Sequence, residues 1–269
     1  MWRPSVAKGI PQQFAALGTY SDSSTHNVTT LAGWTSSNMN IATIGAATGL
    51  AQTLGVGNST ITSTLGAVTP SSTTLTVIAP VVVAVVVTPQ KVSPLPGATV
   101  PYVAMAAFSD HTSQNVTTNQ AVWSSSNTNA ATIGTSTGIA TAIQGTGGGV
   151  TSISAVFGGK TGSATLTLPA LTSIPVTPAN QIISPGTTLQ FTATGTYSDG
   201  RTQILTNVVN WSSDNAVVTI NPSTGLATGN MTATLVTANI KATLGTLSGT
   251  TKLSVGAQCN RNLLRNYKR

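Results

Sequence analysis

Apolar and polar residues alternate with a period of two along most of the chain. In the stretch 189–196, Leu, Phe, Ala and Gly fall on one side, while Gln and three Thr fall on the other. This pattern is typical of antiparallel strands with one face in water, where β-branched Thr and Val fit the pleat well. Turn-forming clusters interrupt the runs roughly every eight to twelve residues, which favours a sandwich over βαβ units. The pattern therefore predicts an all-β protein.

The alternating pattern occurs three times, and its landmarks recur at spacings of 87 to 89 residues. These landmarks are a tryptophan (Trp34, Trp123 and Trp211), an aspartate after an aromatic-Ser pair (Asp22, Asp110 and Asp199), and the glycine of a Gly-Leu/Ile-Ala step (Gly49, Gly138 and Gly225). A repeat of this length is the size of a small independent domain.

The three tryptophans are the predicted centres of three separate hydrophobic cores. An immunoglobulin-like sandwich packs such a ring between its two sheets. The single cysteine, Cys259, lies outside the repeats, so no disulfide supports these cores. Burying one indole removes ~150–250 Å² from water and stabilises a domain by at most ~4–6 kcal/mol. We therefore predict three tandem immunoglobulin-like β-sandwiches with Trp34, Trp123 and Trp211 as structural core residues.

The repeat spacing also predicts the domain boundaries. The expected domains are residues 1–79, 80–169 and 170–256, followed by a basic tail at 257–269. Short proline-containing junctions limit bending more than Gly/Ser linkers do. The expected arrangement is a rod-like array.

The first repeat is predicted to lack its N-terminal strand. In the second and third repeats this strand is supplied by Val83–Thr88 and Ser173–Thr177, each followed by a proline. The position equivalent to that proline in the first repeat is Met1. Either the chain is a piece of a longer array or its start is an artefact. The alternative is that a strand from another molecule adds to the open edge.

The third repeat carries the segments QFTATGTYSDG, WSSDN and TGLATG. This pattern resembles the bacterial immunoglobulin-like domain, group 2, which occurs in tandem in intimin- and invasin-like surface proteins. The resemblance extends from residue 1 to about 256, although Ser23 and His111 replace the turn glycine Gly200. It implies an immunoglobulin-like fold and a secreted or cell-surface location in bacteria.

Few residues in the chain could perform catalysis. Charged residues make up 6% of the sequence, against about 25% in an ordinary globular protein. Only the third repeat has two carboxylates, Asp199 and Asp214, and no repeat combines a nucleophile, a base and an orienting acid. His26 is expected in a surface loop, and His111 in a turn. We predict no enzyme, and no catalytic or cofactor-binding residues.

Metal and phosphate sites are also not expected. Ca²⁺ needs about six to eight oxygen ligands, and one Asp in each repeat is better explained as a turn residue that accepts a backbone N–H. One cysteine and two distant histidines cannot form a zinc site. The Gly158–Thr161 segment lacks the spacing of a phosphate loop. It is predicted to be a hairpin turn, as are its counterparts Leu65–Ser72 and Gly245–Thr250.

The net charge of +7 does not indicate a nucleic-acid-binding protein. Four of the basic residues lie in the tail (Arg261, Arg265, Lys268 and Arg269), and the others are scattered without interleaved aromatics. The valine-rich run Val81–Val87 is too short for a transmembrane helix of about 20 residues, and it is predicted to be a strand. Neither nucleic acid nor a membrane span is therefore expected.

Two functions remain. The first is a structural spacer in a secreted or cell-surface bacterial protein, which would present an adhesive or enzymatic domain. The alternative is an adhesion module that binds a cell-surface carbohydrate or host protein, including a decoration domain on a phage particle.

Overall fold

The computed structural model describes residues 3–145 and 147–256. These residues form strands connected by turns and loops, with no helix among them, so the all-β prediction is confirmed. The described chain has two compact units. The first contains the residues up to Thr88, Val103–Val122 and Ala155–Ser163, and the second contains Pro89–Tyr102, Trp123–Ser154 and the described residues after Ser163.

Nine strands form the first repeat. They are β1 (Ser5–Ala7), β2 (Gln12–Gln13), β3 (Leu17–Thr19), β4 (Thr25–Asn27), β5 (Gly33–Ser36), β6 (Ala42–Ile44), β7 (Leu50–Thr53), β8 (Gly57–Thr64) and β9 (Ser71–Ile78). Their sheets have the orders β1-β9-β8-β5, β2-β7-β6 and β3-β4.

Ten strands form the second repeat. They are β10 (Val82–Thr88), β11 (Lys91–Val92), β12 (Thr99–Pro101), β13 (Val103–Phe108), β14 (Ser113–Asn115), β15 (Val122–Ser125), β16 (Ala131–Ile133), β17 (Ile139–Ala142), β18 (Gly149–Phe157) and β19 (Lys160–Leu168). Their sheets have the orders β11-β19-β18-β15, β12-β17-β16 and β10-β13-β14.

Eleven strands form the third repeat. They are β20 (Leu171–Ser173), β21 (Val176–Thr177), β22 (Gln181–Ile183), β23 (Thr188–Gln190), β24 (Thr192–Tyr197), β25 (Thr202–Ile204), β26 (Asn210–Ser213), β27 (Val218–Ile220), β28 (Leu226–Gly229), β29 (Val236–Leu244) and β30 (Leu247–Val255). Two sheets have the orders β22-β30-β29-β26 and β23-β28-β27, while β20, β21 and β25 all pair with β24.

The three repeats share one topology. Each has a four-stranded sheet that starts with a short strand parallel to the last strand, as β1 is to β9, β11 to β19 and β22 to β30. The same sheet ends on the strand that carries the tryptophan. These are tandem immunoglobulin-like domains, as the sequence predicts.

The three tryptophans lie in the interior. The exposed fractions of Trp34, Trp123 and Trp211 are 7%, 1% and 2%. Each indole packs on an aromatic ring about twenty residues earlier, with ring centroids 6.3–6.4 Å apart (Phe14–Trp34, Tyr102–Trp123 and Phe191–Trp211).

A glycine with left-handed backbone geometry lies against the indole. Gly49 has φ +65° and Gly225 has φ +71°. A methyl group on Gly225 would lie 2.7 Å from Cε2 of Trp211, and one on Gly49 would lie 2.7 Å from the carbonyl oxygen of Phe14. The recurring Gly-Leu-Ala step therefore reflects both the backbone conformation and the space taken by the indole.

Several predicted segments differ from the structure. The strand expected at Ser173–Thr177 is divided into β20 and β21, because Pro175 cannot donate a ladder hydrogen bond. The turns expected at Leu65–Ser72 and Gly245–Thr250 are shorter, since β9 begins at Ser71 and β30 begins at Leu247. By contrast, the valine-rich run forms β10 as predicted, with Val85 and Val87 buried.

The described residues contain no helix that could cross a bilayer. The predicted basic tail, 257–269, lies outside the described residues, as does Cys259.

We predict that Trp123→Ala unfolds the second repeat and leaves the other two folded. Loss of a buried Trp costs about 3–5 kcal/mol, which is a large part of the ~5–15 kcal/mol that stabilises a typical domain. Differential scanning calorimetry should show the loss of one unfolding transition. Val122→Ala is the matched control, because Val122 is 62% exposed and should leave the profile almost unchanged. An unaltered profile for Trp123→Ala would contradict the prediction.

Tyr102→Phe should stabilise the second repeat. The Tyr102 hydroxyl is buried without a hydrogen-bond partner, whereas Phe14 and Phe191 occupy the same position in the other repeats. Removing an unsatisfied buried hydroxyl should gain about 1–3 kcal/mol, and each kcal/mol raises the melting temperature of a small domain by roughly 4–8 °C. Thermal unfolding of the variant measures this gain, and a lower melting temperature would show that the hydroxyl is satisfied in solution.

Candidate functional site

One sheet edge in the first repeat lacks the strand that covers it in the other two. In the second repeat β10 runs antiparallel to β13, and in the third β20 and β21 run antiparallel to β24. In the first repeat β3 pairs with β4, and no other described strand pairs with it. The first repeat therefore has an uncovered edge along β3, as expected from the sequence.

An open groove lies beside this edge. Its volume is ≈ 410 Å³, and Ala16, Gly18, Val28 and Ala32 form an apolar part of its lining. We call this cavity the β3 groove. Its other side carries hydroxyl groups from the β8–β9 hairpin, including those of Ser63 and Ser71. The β3 groove is thus apolar on one side and able to form hydrogen bonds on the other.

The third repeat shows what occupies the equivalent space when the edge is covered. Gly195 is the counterpart of Gly18, and a methyl group on Gly195 would lie 2.7 Å from Cδ1 of Leu171. Leu171 belongs to β20, the strand that the first repeat lacks. A methyl group on Gly18 would instead meet Val28 at 3.4 Å and Tyr20 at 3.6 Å. The volume that Leu171 fills in the third repeat is therefore part of the β3 groove in the first.

A serine at the end of the edge strand anchors the covering strand. Ser109 donates its N–H to the carbonyl of Val81 at 2.9 Å, and its Oγ accepts the N–H of Val81 at 3.1 Å. Ser198 makes the same pair of hydrogen bonds with Ala170, at 2.8 and 3.1 Å. Ser21 is the equivalent residue in the first repeat, and neither group forms such a bond to any described residue. The anchoring position is therefore present but unused.

Two serines distinguish the β3 groove from its covered counterparts. Ser71 occupies the position of Gly162 and Gly249, and in those repeats the carbonyl groups of Val85 and Ile174 lie where a methyl group on the glycine would be. Ser63 occupies the position of Ala242, as the pairing of each with the Trp strand shows. The hydroxyl groups of Ser63 and Ser71 make the first repeat's groove more polar.

The aspartate that follows each aromatic-Ser pair is a turn residue, as predicted. Oδ1 of Asp22, Asp110 and Asp199 accepts the backbone N–H two residues later, at 2.9–3.1 Å. Hydrogen bonds from the side chains of Ser24, Thr112 and Arg201, and then from their backbone N–H groups, stabilise the charged carboxylates and hold the pKa of all three aspartates below the usual value. At Asp199 the Arg201 side chain contributes most, since its Nε and Nη2 lie 2.7 and 2.6 Å from Oδ2.

The other titratable residues do not come together in a reactive group. Asp214 accepts hydrogen bonds from the side chain and backbone of Asn239, at 2.6 and 2.7 Å, which lower its pKa. His26 lies in β4 rather than in the surface loop expected from the sequence, and its ring meets that of Tyr20 edge-on at 5.3 Å. Within 3–145 and 147–256, no three His, Cys, Asp or Glu side chains are placed to hold a metal ion.

A hairpin turn lies within the predicted segment Gly158–Thr161, but it contains only Gly158 and Gly159. Gly158 and Gly159 connect β18 to β19 and have φ values of +55° and +74°. Both residues are left-handed, as in the two-residue turns that suit antiparallel strands. Lys160 begins β19 and therefore does not belong to a phosphate-binding loop.

The sequence did not reveal a pair of buried hydroxyl groups beside the Trp strands. Ser59 is 1% exposed, and its Oγ accepts the N–H of Asn38 at 3.0 Å and bonds to Ser36 Oγ at 2.8 Å. Thr151 makes the same contacts with Asn127 and Ser125, at 3.0 and 2.8 Å. A polar residue at an inward position of an alternating strand was the available signal. These contacts join the Trp strand to the loop that follows it.

Residues 2–77 and 170–255 match the family described as Bacterial Ig-like domain (group 2), and together they cover more than half of the chain. The chain belongs to this family. The resemblance drawn from the sequence motifs is thereby confirmed.

A curated protein related to these group 2 domains is Ice-binding protein 1 of Shewanella frigidimarina (strain NCIMB 400). It is 39% identical over 221 residues, which is 81% of this chain and 24% of that protein. The chain therefore spans about a quarter of the length of this relative.

Two solved structures are among those similar to this chain. The S-layer protein rSbsC(31–844) is 16% identical with a TM-score of 0.37, covering 92% of this chain and 39% of that one. The I9–I11 tandem from titin is 12% identical with a TM-score of 0.39, covering 94% and 95% of the two chains.

Two of the repeats keep the turn geometry without its glycine. Gly200 has φ +82°, and its replacements Ser23 and His111 both have φ +66°. Non-glycine residues rarely adopt this conformation, because Cβ approaches the following carbonyl oxygen. The turn is therefore imposed by the surrounding strands and by the aspartate hydrogen bond, at a local cost.

His111→Gly should stabilise the second domain. Relief of the left-handed strain is worth about 1–2 kcal/mol, and the greater freedom of glycine in the unfolded chain removes about 0.4–1 kcal/mol of it. Thermal or denaturant unfolding should show a net gain of about 0.5–1 kcal/mol. Ser113→Gly, on the adjacent exposed strand, is the control and should destabilise. Equal losses for both variants would mean that His111 is unstrained.

Proposed function

We propose that this chain is a structural spacer of an extracellular or surface-attached bacterial protein, and that it carries an adhesive or enzymatic domain on the same polypeptide. Tandem membership of the group 2 family supports this role. The repeats fold around separate aromatic cores, so each can contribute length without contributing a reactive site.

The short connection between consecutive sandwiches is the observation that carries the proposal. β9 ends at Ile78 and β10 begins at Val82, while β19 ends at Leu168 and β20 begins at Leu171. Two or three residues that include a proline leave little freedom for independent movement. A spacer needs this restriction because a freely jointed chain would not hold a terminal domain at a defined distance.

Contacts inside the second unit strengthen the connection between the second and third repeats. Nη2 of Arg201 donates to the carbonyl oxygen of Ser93 at 2.6 Å, and Nε2 of Gln203 donates to that of Pro96 at 3.3 Å. Leu95 packs on the hydrophobic core of the third repeat. The loop at 93–96 therefore supports the turn that begins at Asp199.

The chemistry of the surface agrees with a spacer rather than with an enzyme. Each aspartate is held by hydrogen bonds from its own turn or from the adjacent strand. Paired acids for acid–base catalysis must face one cleft, whereas Asp199 and Asp214 have different partners, Arg201 and Asn239. We infer that any reaction catalysed by the whole protein resides in another domain.

The relative in Shewanella frigidimarina provides one candidate for such a domain. Its name assigns ice binding to that protein as a whole, and this chain matches about a quarter of it. We propose that the shared quarter serves as the spacer and that ice binding belongs to the remainder. The 269-residue chain alone should therefore not adsorb to ice.

A carbohydrate- or protein-binding adhesion module is the second candidate. The feature that favours it is the β3 groove, where Tyr20 is 51% exposed beside several hydroxyl groups. Exposed aromatic rings and hydroxyl groups can bind a sugar or a polar protein surface.

Single-molecule force spectroscopy tests the spacer function. Pulling on the ends of the chain should give separate unfolding events, each releasing roughly 290–320 Å of extended chain, because about 88 residues extend at ~3.3–3.6 Å each. Repeats that unfold independently of one another under force would produce such steps at similar forces.

A glycan array and an ice-adsorption assay on the same chain test whether the chain itself binds a ligand. Saturable binding of a defined glycan, with loss of binding in Tyr20→Ala, would replace the spacer by the adhesion module. A single unfolding event would contradict the independent repeats on which the spacer depends.

A further inference from the structure

We propose that three side chains of the third repeat, Tyr197, Arg201 and Gln203, lock its joint to the second repeat, and that the joint between the first and second repeats, which lacks this lock, is a hinge. The proposal rests on the spacer function and deepens it, since it states where the spacer bends. The first joint, at 79–81, and its turn lie within the first compact unit, and the second joint, at 169–170, and its turn lie within the second.

Arg201 connects the turn of the third repeat to a loop of the second. Its Nε donates to Oδ2 of Asp199 at 2.7 Å, while Nη2 donates to the carbonyl oxygen of Ser93 at 2.6 Å. Both charged side chains are partly exposed, so the ion pair by itself stabilises little. It orients the planar guanidinium, whose rigid fork then presents a second nitrogen to the loop. Arg201 is thus a positioning residue for the joint.

Tyr197 and Gln203 form the other half of the lock. The Tyr197 ring is buried, and its hydroxyl donates to Oε1 of Gln203 at 2.9 Å. This hydrogen bond orients the amide, whose Nε2 donates to the carbonyl oxygen of Pro96 at 3.3 Å. Leu95, from the same loop, packs on the hydrophobic core of the third repeat. The loop at 93–96 is therefore held by hydrogen bonds and by an apolar contact.

At the first joint a threonine replaces the arginine. Thr112 lies 89 residues before Arg201, and its N–H and Oγ1 both donate to Oδ1 of Asp110, at 3.0 and 2.6 Å. The aspartate is therefore satisfied inside its own turn, and the short threonine side chain does not extend beyond it. Among the described residues, no hydrogen bond joins this turn to the loop at 7–10 of the first repeat.

The glutamine of the first joint bonds within its own repeat. Gln114 occupies the position of Gln203, and its Nε2 donates to Oε1 of Gln120 at 3.0 Å. Phe108 occupies the position of Tyr197, so the first joint has no phenol hydroxyl to orient the amide toward the neighbouring repeat. The second half of the lock is therefore also absent.

The facing loop of the first repeat is close to the turn but carries a smaller side chain. Gly9 and Gly97 are equivalent loop residues, with φ +90° and +82°. A methyl group on Gly9 would lie 3.7 Å from Cβ of Asp110. Two residues before these glycines stand Ala7 and Leu95, respectively. An alanine reaches less far than the leucine that contacts the next core, so the apolar part of the joint is smaller.

An open cleft of ≈ 400 Å³ lies at the turn of the first joint. The first joint thus has free volume where the second has the lock. Movement between domains is expected where their interface is small and few bonds cross it. The residues of the cleft and their equivalents 89 positions later are Pro80 and Pro169, Phe108 and Tyr197, Thr112 and Arg201, Ser113 and Thr202, and Gln114 and Gln203.

Nitroxide labels at equivalent exposed sites measure the freedom of each joint. Leu50, Ile139 and Leu226 follow the recurring glycine and are 37%, 50% and 43% exposed. Consecutive sites are changed to cysteine in pairs in the full 269-residue chain, with Cys259→Ser so that no other thiol is labelled. Pulsed electron–electron double resonance should give a distance distribution about twice as wide between sites 50 and 139 as between sites 139 and 226. This comparison leaves every lock residue unchanged.

Exchanging lock residues for those of the first joint should loosen the second joint. Tyr197→Phe combined with Arg201→Thr introduces the residues that already support a folded turn in the second repeat. The distribution between sites 139 and 226 should widen about twofold. Lys241→Thr is the matched control, because it removes an exposed cation on β29, where the first repeat has Thr62, and it should leave both widths unchanged. Thermal unfolding verifies that each variant is folded.

Two results would overturn the lock. One is a distribution across the second joint as wide as that across the first, and the other is a width that the exchange of Tyr197 and Arg201 leaves unchanged. The spacer function fails separately. Equal and narrow distributions would contradict the lock alone, whereas equal and broad distributions would contradict both, because freely moving repeats do not hold a terminal domain at a defined distance.

Discussion

The packing of one indole between two sheets is the interaction on which each sandwich depends. No disulfide assists it, because the single cysteine lies outside the repeats. The ring packs on an aromatic neighbour, and in the third repeat a glycine lies against it at a distance that no side chain would allow. Its Nε1 donates to a backbone carbonyl in the first and third repeats, those of Thr29 and Thr206, both at 2.9 Å. The indole thus combines a large apolar contact with a satisfied polar group.

Coverage of sheet edges is the second constraint, and the repeats meet it differently. The second repeat covers the edge with one continuous strand, and the third with two short strands interrupted by Pro175. The first leaves β3 uncovered beside a groove lined by Ser63 and Ser71, where the third repeat has Ala242 and Gly249. Exposed strand edges promote association between chains.

Hydroxyl and amide groups take the place of charges in stabilising the loops. Asp110 is bonded to both the backbone and the side chain of Thr112, and Ser59 and Thr151 join the Trp strands to the following loops. Such bonds fix loop conformation without long-range fields. A chain in which 6% of the residues are charged has little means of electrostatic steering, which agrees with a mechanical role more than with rapid recognition of a charged ligand.

The sequence by itself determined the strands, the repeats and the buried tryptophans, because a period of two and a spacing of 87 to 89 residues are local or repetitive signals. It also indicated the missing strand, since the repeats could be compared position by position. Only the tertiary structure decided that Ser173–Thr177 divides into two strands, that His26 lies in a strand, and that Ser59 and Thr151 are buried. These outcomes depend on tertiary contacts between segments that are far apart in the sequence. The β3 groove, likewise, is a volume between β3 and the β8–β9 hairpin, and its shape exists only once both have folded.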